Sequence, residues 1–209
     1  MSPIRTFDSQ LQSLARYLSS PLTLIAIFVS AQMLLDVSNL VYLRSEITNG
    51  AVWRVLSGQL VHHNAIHLLL NIAGLMVVWL IGGREYPGLR FVLMSLIVAV
   101  FTGCLLYFCE PQLHYYLGFS GALHGVAVVI ATRLMARGLA IGYLLGMAIF
   151  VKLTWEYAST DASASTAALI GLRVATEAHF WGAVSGLLVA SPIIMRTLYQ
   201  RITSVTQTI

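Results

Sequence analysis

The sequence predicts an all-α membrane protein, a bundle of six transmembrane helices. Three observations predict it. Apolar residues make up 58% of the 209-residue chain and charged residues only 10%, against about 45–50% and about 25% in soluble domains. The mean hydropathy is +0.81. The apolar residues also fall into six runs, each near the roughly 20 residues that a helical span requires. This excludes a soluble globular domain, a disordered chain and a coiled coil. Six spans use roughly 120 residues, which leaves no room for a second folded domain.

The elements follow in order. Residues 1–20 carry Arg5, Asp8 and Arg16 and read as a cytoplasmic amphipathic segment. Span one covers 21–42. It is longer than the core of a cleaved signal and is expected to be retained. A polar connection over 43–60 holds Arg44, Glu46, Asn49 and Gly50. Span two covers 62–82 and stops at Gly82-Gly83-Arg84-Glu85-Tyr86-Pro87-Gly88, a cluster of helix breakers. Span three covers 89–109 and is closed by Glu110-Pro111, with a short loop over 112–118. Span four covers 119–135 and ends at Arg133 and Arg137, and span five covers 138–156. The Ser-, Thr- and Ala-rich stretch 157–172 reads as a loop, and span six covers 174–195. The six spans form one domain, 21–195, followed by a polar cytoplasmic tail, 196–209.

The charges orient this topology. With both termini in the cytoplasm, Arg5, Arg16, Arg84, Arg90, Arg133, Arg137, Arg196 and Arg201 lie inside. Only Arg44, Arg54, Lys152 and Arg173 lie outside, as the positive-inside rule requires. The formal charge is +4, but the basic residues are scattered singly and no nucleic-acid partner is expected. No internal repeat supports an inverted-repeat transporter. Cys104 and Cys109 are too few for a disulfide scaffold or a four-ligand zinc site. Five apart on an uninterrupted helix they face different ways and no disulfide is expected; a helix that stops early would permit one in an oxidising periplasm.

Polar groups inside spans are costly and mark function by default. Span two has His62, His63, His67 and Asn71; span four has Ser120 and His124; span six has Glu177 and His179. All fall near the outer ends. Ser120 sits in Gly118-Phe119-Ser120-Gly121-Ala122-Leu123-His124-Gly125, where a helix N-terminus and small neighbours suit a nucleophile and an oxyanion. Taken alone, the motif reads more readily as a helix cap with glycines that serve packing. Gly182 and Gly186 repeat the spacing of Gly121 and Gly125. If these faces pack, His179 reaches Ser120 as a general base; otherwise it makes one interhelical hydrogen bond. His124, one turn from Ser120, is the rival base. His67 and Asn71 share a helical face and are candidate oxyanion donors. His62 would add a third donor near the mouth. His63 and His67 also have metal-ligand spacing. With His124 and His179 they open a metal or haem alternative, against which only Glu177 stands as a nearby carboxylate, with Ser120 and Asn71 left unexplained.

These residues together resemble the rhomboid intramembrane serine proteases over 21–195. The resemblance rests on Trp53-Arg54, on His62 with His67 and Asn71, on Gly118-x-Ser120-Gly121, and on Ala178-His179-x-x-Gly182-x-x-x-Gly186. It implies a Ser–His dyad without an acid, with Ser120 as nucleophile and His179 as base. His67, Asn71 and the Ser120 N–H would form the oxyanion hole, and Gly118 would leave space beside it. No cofactor or metal is implied. The serine motif continues as Leu123-His124-Gly125, and no soluble extension is expected. Both features resemble the rhombosortases. That subgroup implies a transmembrane protein substrate with a C-terminal Gly-Gly-type anchor, cleaved near the outer face of a bacterial inner membrane. Two departures stand out: the connection after span one is short, and His124 takes a place usually small or apolar. An inactive rhomboid-like chaperone would not need both Ser120 and His179. No oligomeric state follows from these motifs.

Overall fold

The computed structural model describes residues 20–159 and 161–206; but for Ser20, the expected N-terminal amphipathic segment lies outside them. The described chain runs through α1 (Ser20–Leu34), a 3-10 turn (Val37–Asn39), β1 (Tyr42–Leu43), α2 (Arg44–Thr48) and α3 (Arg54–Ser57). It continues with α4 (Ala65–Gly82), α5 (Leu89–Cys109), β2 (Tyr115–Tyr116) and α6 (Ser120–Ala136). It ends with α7 (Ala140–Ala158), α8 (Ala164–Ile170) and α9 (Thr176–Thr206). Helices α1, α4, α5, α6, α7 and α9 occupy the six expected apolar runs, and the architecture is an all-α membrane bundle. By length and composition, α4 with the turn after it, α5 and residues Thr176–Gln200 of α9 suffice to cross a bilayer. Helix α6 has 17 residues and so rises about 25 Å, less than the roughly 30 Å hydrocarbon core.

Several boundaries differ from those the sequence predicts. Helix α1 stops at Leu34 rather than 42, because Asp36 turns the chain: its Oδ1 accepts the Ser38 N–H at 2.9 Å. Such side-chain acceptors compete with helix continuation. Helix α4 starts at Ala65 because the Asn64 side chain accepts the His67 N–H at 2.9 Å, an N-cap. His62 and His63 therefore precede the helix instead of riding on it. The expected loop 157–172 contains α8, closed by Gly171 in the left-handed conformation at φ 67°. The expected tail continues α9 to Thr206.

The connection after α1 is folded against the bundle, not a bare link. The Arg44 guanidinium donates to the carbonyls of Leu106, Tyr107, Glu110 and Leu113, at the end of α5 and in the turn that follows it, where carbonyls lack a full set of helical partners. Buried Arg54 donates to the carbonyls of Ser38 and Val41 at 2.9 and 2.8 Å. Strand β1 pairs antiparallel with β2, Tyr42 opposite Tyr116 and Leu43 opposite Tyr115. At the other end, Glu85 pairs with both Arg133 and Arg137. Cys104 and Cys109 are free thiols.

Helix α6 lies at the centre. Phe119, Ala122, Val126 and Ile130 are wholly buried there and pack with Phe28, Leu75, Phe91 and Val98. Its closest neighbour is α9. A Cβ on Gly182 would fall on the Gly121 carbonyl, one on Gly125 on the Gly182 carbonyl, and one on Gly186 on the Gly125 carbonyl. The two backbones touch through these glycines, as small residues at this spacing permit. Helix α7 is peripheral, with only Gly142 and Ile149 buried.

The substitution Gly182→Ala separates two opposing effects. Helix propensity alone would stabilise it by about 1 kcal/mol, whereas overpacking typically costs roughly 1–3 kcal/mol. Because the obstacle is backbone, a net loss of stability is expected in reversible unfolding in mixed micelles. Gly146→Ala is the control. Its Cβ meets only the Met135 methyl, and no loss is expected.

Candidate active site

A cavity of about 580 Å³ lies among α4, α6, α7, α8 and α9, and Ser120, His179, His67, Asn71, His124 and Glu156 are among its lining residues. Ser120 opens α6. The turn before it requires glycine: Gly118 has φ +108°, and a Cβ there would meet His67 Cε1 at 2.5 Å. The Gly118 N–H donates to the Gly58 carbonyl at 2.9 Å. The Tyr116 hydroxyl donates to the Gly118 carbonyl at 2.6 Å and accepts the Gly121 N–H at 3.3 Å. The turn is thus pinned on both sides of Ser120. Burial pushes the Tyr116 phenol up to about 12, so its proton stays in place near neutrality. The pairing of β2 with β1 delivers that hydroxyl.

Ser120 is not a helix cap; α6 has no side-chain cap. Its Oγ instead lies 3.1 Å from His179 Nε2. His179 sits in the first turn of α9, and the glycine contacts bring that turn onto the start of α6. On its other side, His179 Nδ1 lies 3.0 and 2.9 Å from the two carboxylate oxygens of Glu156 on α7. The side chains of His179 and Glu156 are only 5% and 6% exposed. Lys152, one turn earlier on α7, pairs with the same carboxylate. The His124 ring stacks on His179, with centroids 4.3 Å apart and 23° between planes. Its Nδ1 lies 2.7 Å from the Ser120 carbonyl, to which it donates. His124 is therefore bonded to the backbone of Ser120, not to its hydroxyl.

His67 and Asn71 line the same cavity one turn apart on α4. The Asn71 amide spends one N–H on the His67 carbonyl at 2.9 Å and keeps a second. His62 is not at the mouth, as the sequence suggests. It is fully buried and edge-on to Phe28 and His67 at 5.6 and 5.1 Å. Neither ring nitrogen has a partner among the described residues. Burial, with His67 beside it, pushes its imidazole down to about 3, so it packs as a neutral ring. The cause is the late start of α4, which turns His62 inward. The His63 backbone N–H donates to His67 Nδ1 at 3.5 Å, and no group of three or more His, Cys, Asp or Glu among the described residues is arranged to hold a metal. Glu177 pairs with Arg173; the carboxylate among the histidines is Glu156.

Glu156, Lys152 and Tyr116 escape the sequence reading. The first two had a signal: a charged pair four residues apart at the C-terminal end of an apolar run. Tyr116 had none, since its role depends on a strand pair of two residues per strand.

Comparison with known proteins gives a family model, described as Rhomboid domain, that matches residues 49–196. No curated protein matches the chain.

Tyr116→Phe removes both bonds of the clamp while keeping the ring. Leaving a buried carbonyl and N–H unpaired costs about 1–3 kcal/mol per group, so a lower thermal midpoint is expected by calorimetry in detergent. Gly118→Ala is expected to lower it further, through the strained φ and the His67 contact.

Proposed function

The chain belongs to the rhomboid family, and from that premise we propose that it is an intramembrane serine endopeptidase. Ser120 is the nucleophile and His179 the general base. The observation that carries the reading is the 3.1 Å contact between Ser120 Oγ and His179 Nε2 within an open cavity. A serine hydroxyl becomes nucleophilic when a base at hydrogen-bond distance takes its proton. Oγ attacks the scissile carbonyl while its proton moves to Nε2. The Ser120 N–H at the start of α6, the free Asn71 N–H and His67 are placed to hold the oxyanion. His179 then hands the proton to the leaving amine, and water hydrolyses the acyl-enzyme. Gly118 leaves room for the His67 ring beside the serine, and Gly121 for the close approach of α9.

The short α6 supports a site below the outer surface. With Arg133 and Arg137 at the cytoplasmic face, a rise of about 25 Å leaves Ser120 inside the depth of the hydrocarbon, in a recess that admits water from outside. Both termini are then cytoplasmic, and the membrane is a bacterial inner membrane. The substrates are membrane-anchored proteins. The run Ser120-Gly121-Ala122-Leu123-His124-Gly125 favours rhombosortase-like substrates, with a C-terminal Gly-Gly-type anchor cut near the outer face. Small residues at the cut suit a helix that must unwind to expose a carbonyl.

The test is labelling by a fluorescent fluorophosphonate in mild detergent. Wild-type protein is expected to label and Ser120→Ala not to label. His179→Ala is expected to label at background, while His124→Ala retains labelling. Loss with His124→Ala and retention with His179→Ala would overturn the assignment of the base. Asn71→Ala is expected to slow cleavage of a reporter by about 10²–10³-fold, the typical cost of one oxyanion donor.

A further inference from the structure

We propose that Glu156 completes the Ser120–His179 pair as a third member, a positioning residue that fixes the tautomer of His179 and balances its charge during attack. The proposal rests on the serine-protease reading above. It adds a carboxylate that neither the family resemblance nor the match to the family model supplies.

The argument starts from what each atom can do. Both Glu156 oxygens lie within hydrogen-bond distance of His179 Nδ1. A carboxylate only accepts, so Nδ1 must carry a proton. In a neutral imidazole the other nitrogen is then the acceptor. That nitrogen, Nε2, is the one 3.1 Å from Ser120 Oγ. Glu156 therefore selects the tautomer that can accept the serine proton. His124, stacked on the ring, limits the remaining rotation. The imidazole is held at both nitrogens and on one face.

The placement is costly unless it is used. A carboxylate only 6% exposed near the outer end of an otherwise lipid-facing helix needs compensation. Lys152 supplies a counter-charge, and the His179 N–H supplies the hydrogen bond. His67 faces His179 from α4, Ser120 and His124 from α6, and Glu156 with Lys152 from α7. Among these, Glu156 is the single acid; Glu177, on α9 itself, is occupied by Arg173.

The proton path balances. The Ser120 Oγ–H bond breaks as the Oγ–carbon bond forms, and the proton goes to Nε2. The imidazolium is then paired with the Glu156 anion, which takes no proton itself. The same proton leaves Nε2 for the departing amine, and His179 returns to its starting tautomer.

Two measurements test this. The first is ¹⁵N NMR of histidine-labelled wild-type protein in micelles, with the His179 signal assigned by loss in His179→Ala. An Nδ1–H, Nε2-acceptor tautomer is expected. An Nε2–H tautomer would overturn the proposal, and this reading is made on the wild-type protein with Glu156 in place. The second is the rate of fluorophosphonate labelling, alongside the affinity of a reversible non-covalent inhibitor. Glu156→Gln is expected to slow labelling by roughly 10²–10⁴-fold, the range seen when a triad acid is lost, with inhibitor affinity and thermal midpoint little changed. Glu156→Asp, which keeps the charge on a shorter arm, is expected to label faster than Glu156→Gln. Glu156→Gln labelling at the wild-type rate would sink the role of Glu156 while leaving Ser120 and His179 untouched. Labelling of the wild type that survives Ser120→Ala would instead count against the serine-protease reading.

Discussion

Backbone contact between α6 and α9 is the constraint on which the rest depends. Lipid tails are as apolar as leucine, so no hydrophobic force drives helices together inside a bilayer. Close packing has to supply the attraction, and it needs atoms in contact. Gly121, Gly125, Gly182 and Gly186 remove the side chains that would hold the helices apart, and carbonyls then lie where a Cβ would stand. The separation of Ser120 from His179 follows from this approach, since each side chain projects from the first turn of one helix. An added methyl would push the hydroxyl and the imidazole apart before it altered either.

Around this contact, several polar groups brace the scaffold. Arg44 satisfies the end of α5, and Arg54 ties down the turn after α1. Tyr116 clamps the turn before Ser120. The proposed orientation counts Arg44 and Arg54 as external charges, yet within the protein both donate to backbone carbonyls. One residue can satisfy both constraints, because the charge counts at long range and the guanidinium hydrogen bonds count at short range. The stretch between α1 and α4 is therefore part of the scaffold that presents the serine.

Much of this was legible in the sequence. Run length and composition locate the six bundle helices, since the bilayer sets their length. The two glycine pairs announce a close approach, because spacing by four on a helix is a geometric statement. What was hidden depends on contacts distant in sequence or on capping. Asp36 and Asn64 each moved a boundary by offering the backbone a side-chain acceptor, so an apolar run did not equal a helix. A helix beginning at 62 would carry His62 at the mouth, whereas α4 begins at Ala65 and His62 is buried. The strand pair that carries Tyr116 is too short to leave a pattern. Glu156 was legible as a charge in an apolar run, but nothing in its neighbourhood along the chain pointed to His179, 23 residues away.

The order of the helices along the chain has a consequence for biosynthesis. Ser120 is on α6, Glu156 on α7 and His179 on α9, and 59 residues separate the serine from the histidine. At about 5–20 residues per second, synthesis of that stretch takes roughly 3–12 s. In the proposed mechanism the serine is an ordinary alcohol throughout that interval, because the base that would activate it has not been made. The glycine faces that set the geometry are also divided between the early and the late helix. On that reading a nascent chain beside other inserting proteins is inert toward them, and so is any fragment that ends before α9. The same reading makes synthesis and docking of α9 the activation step.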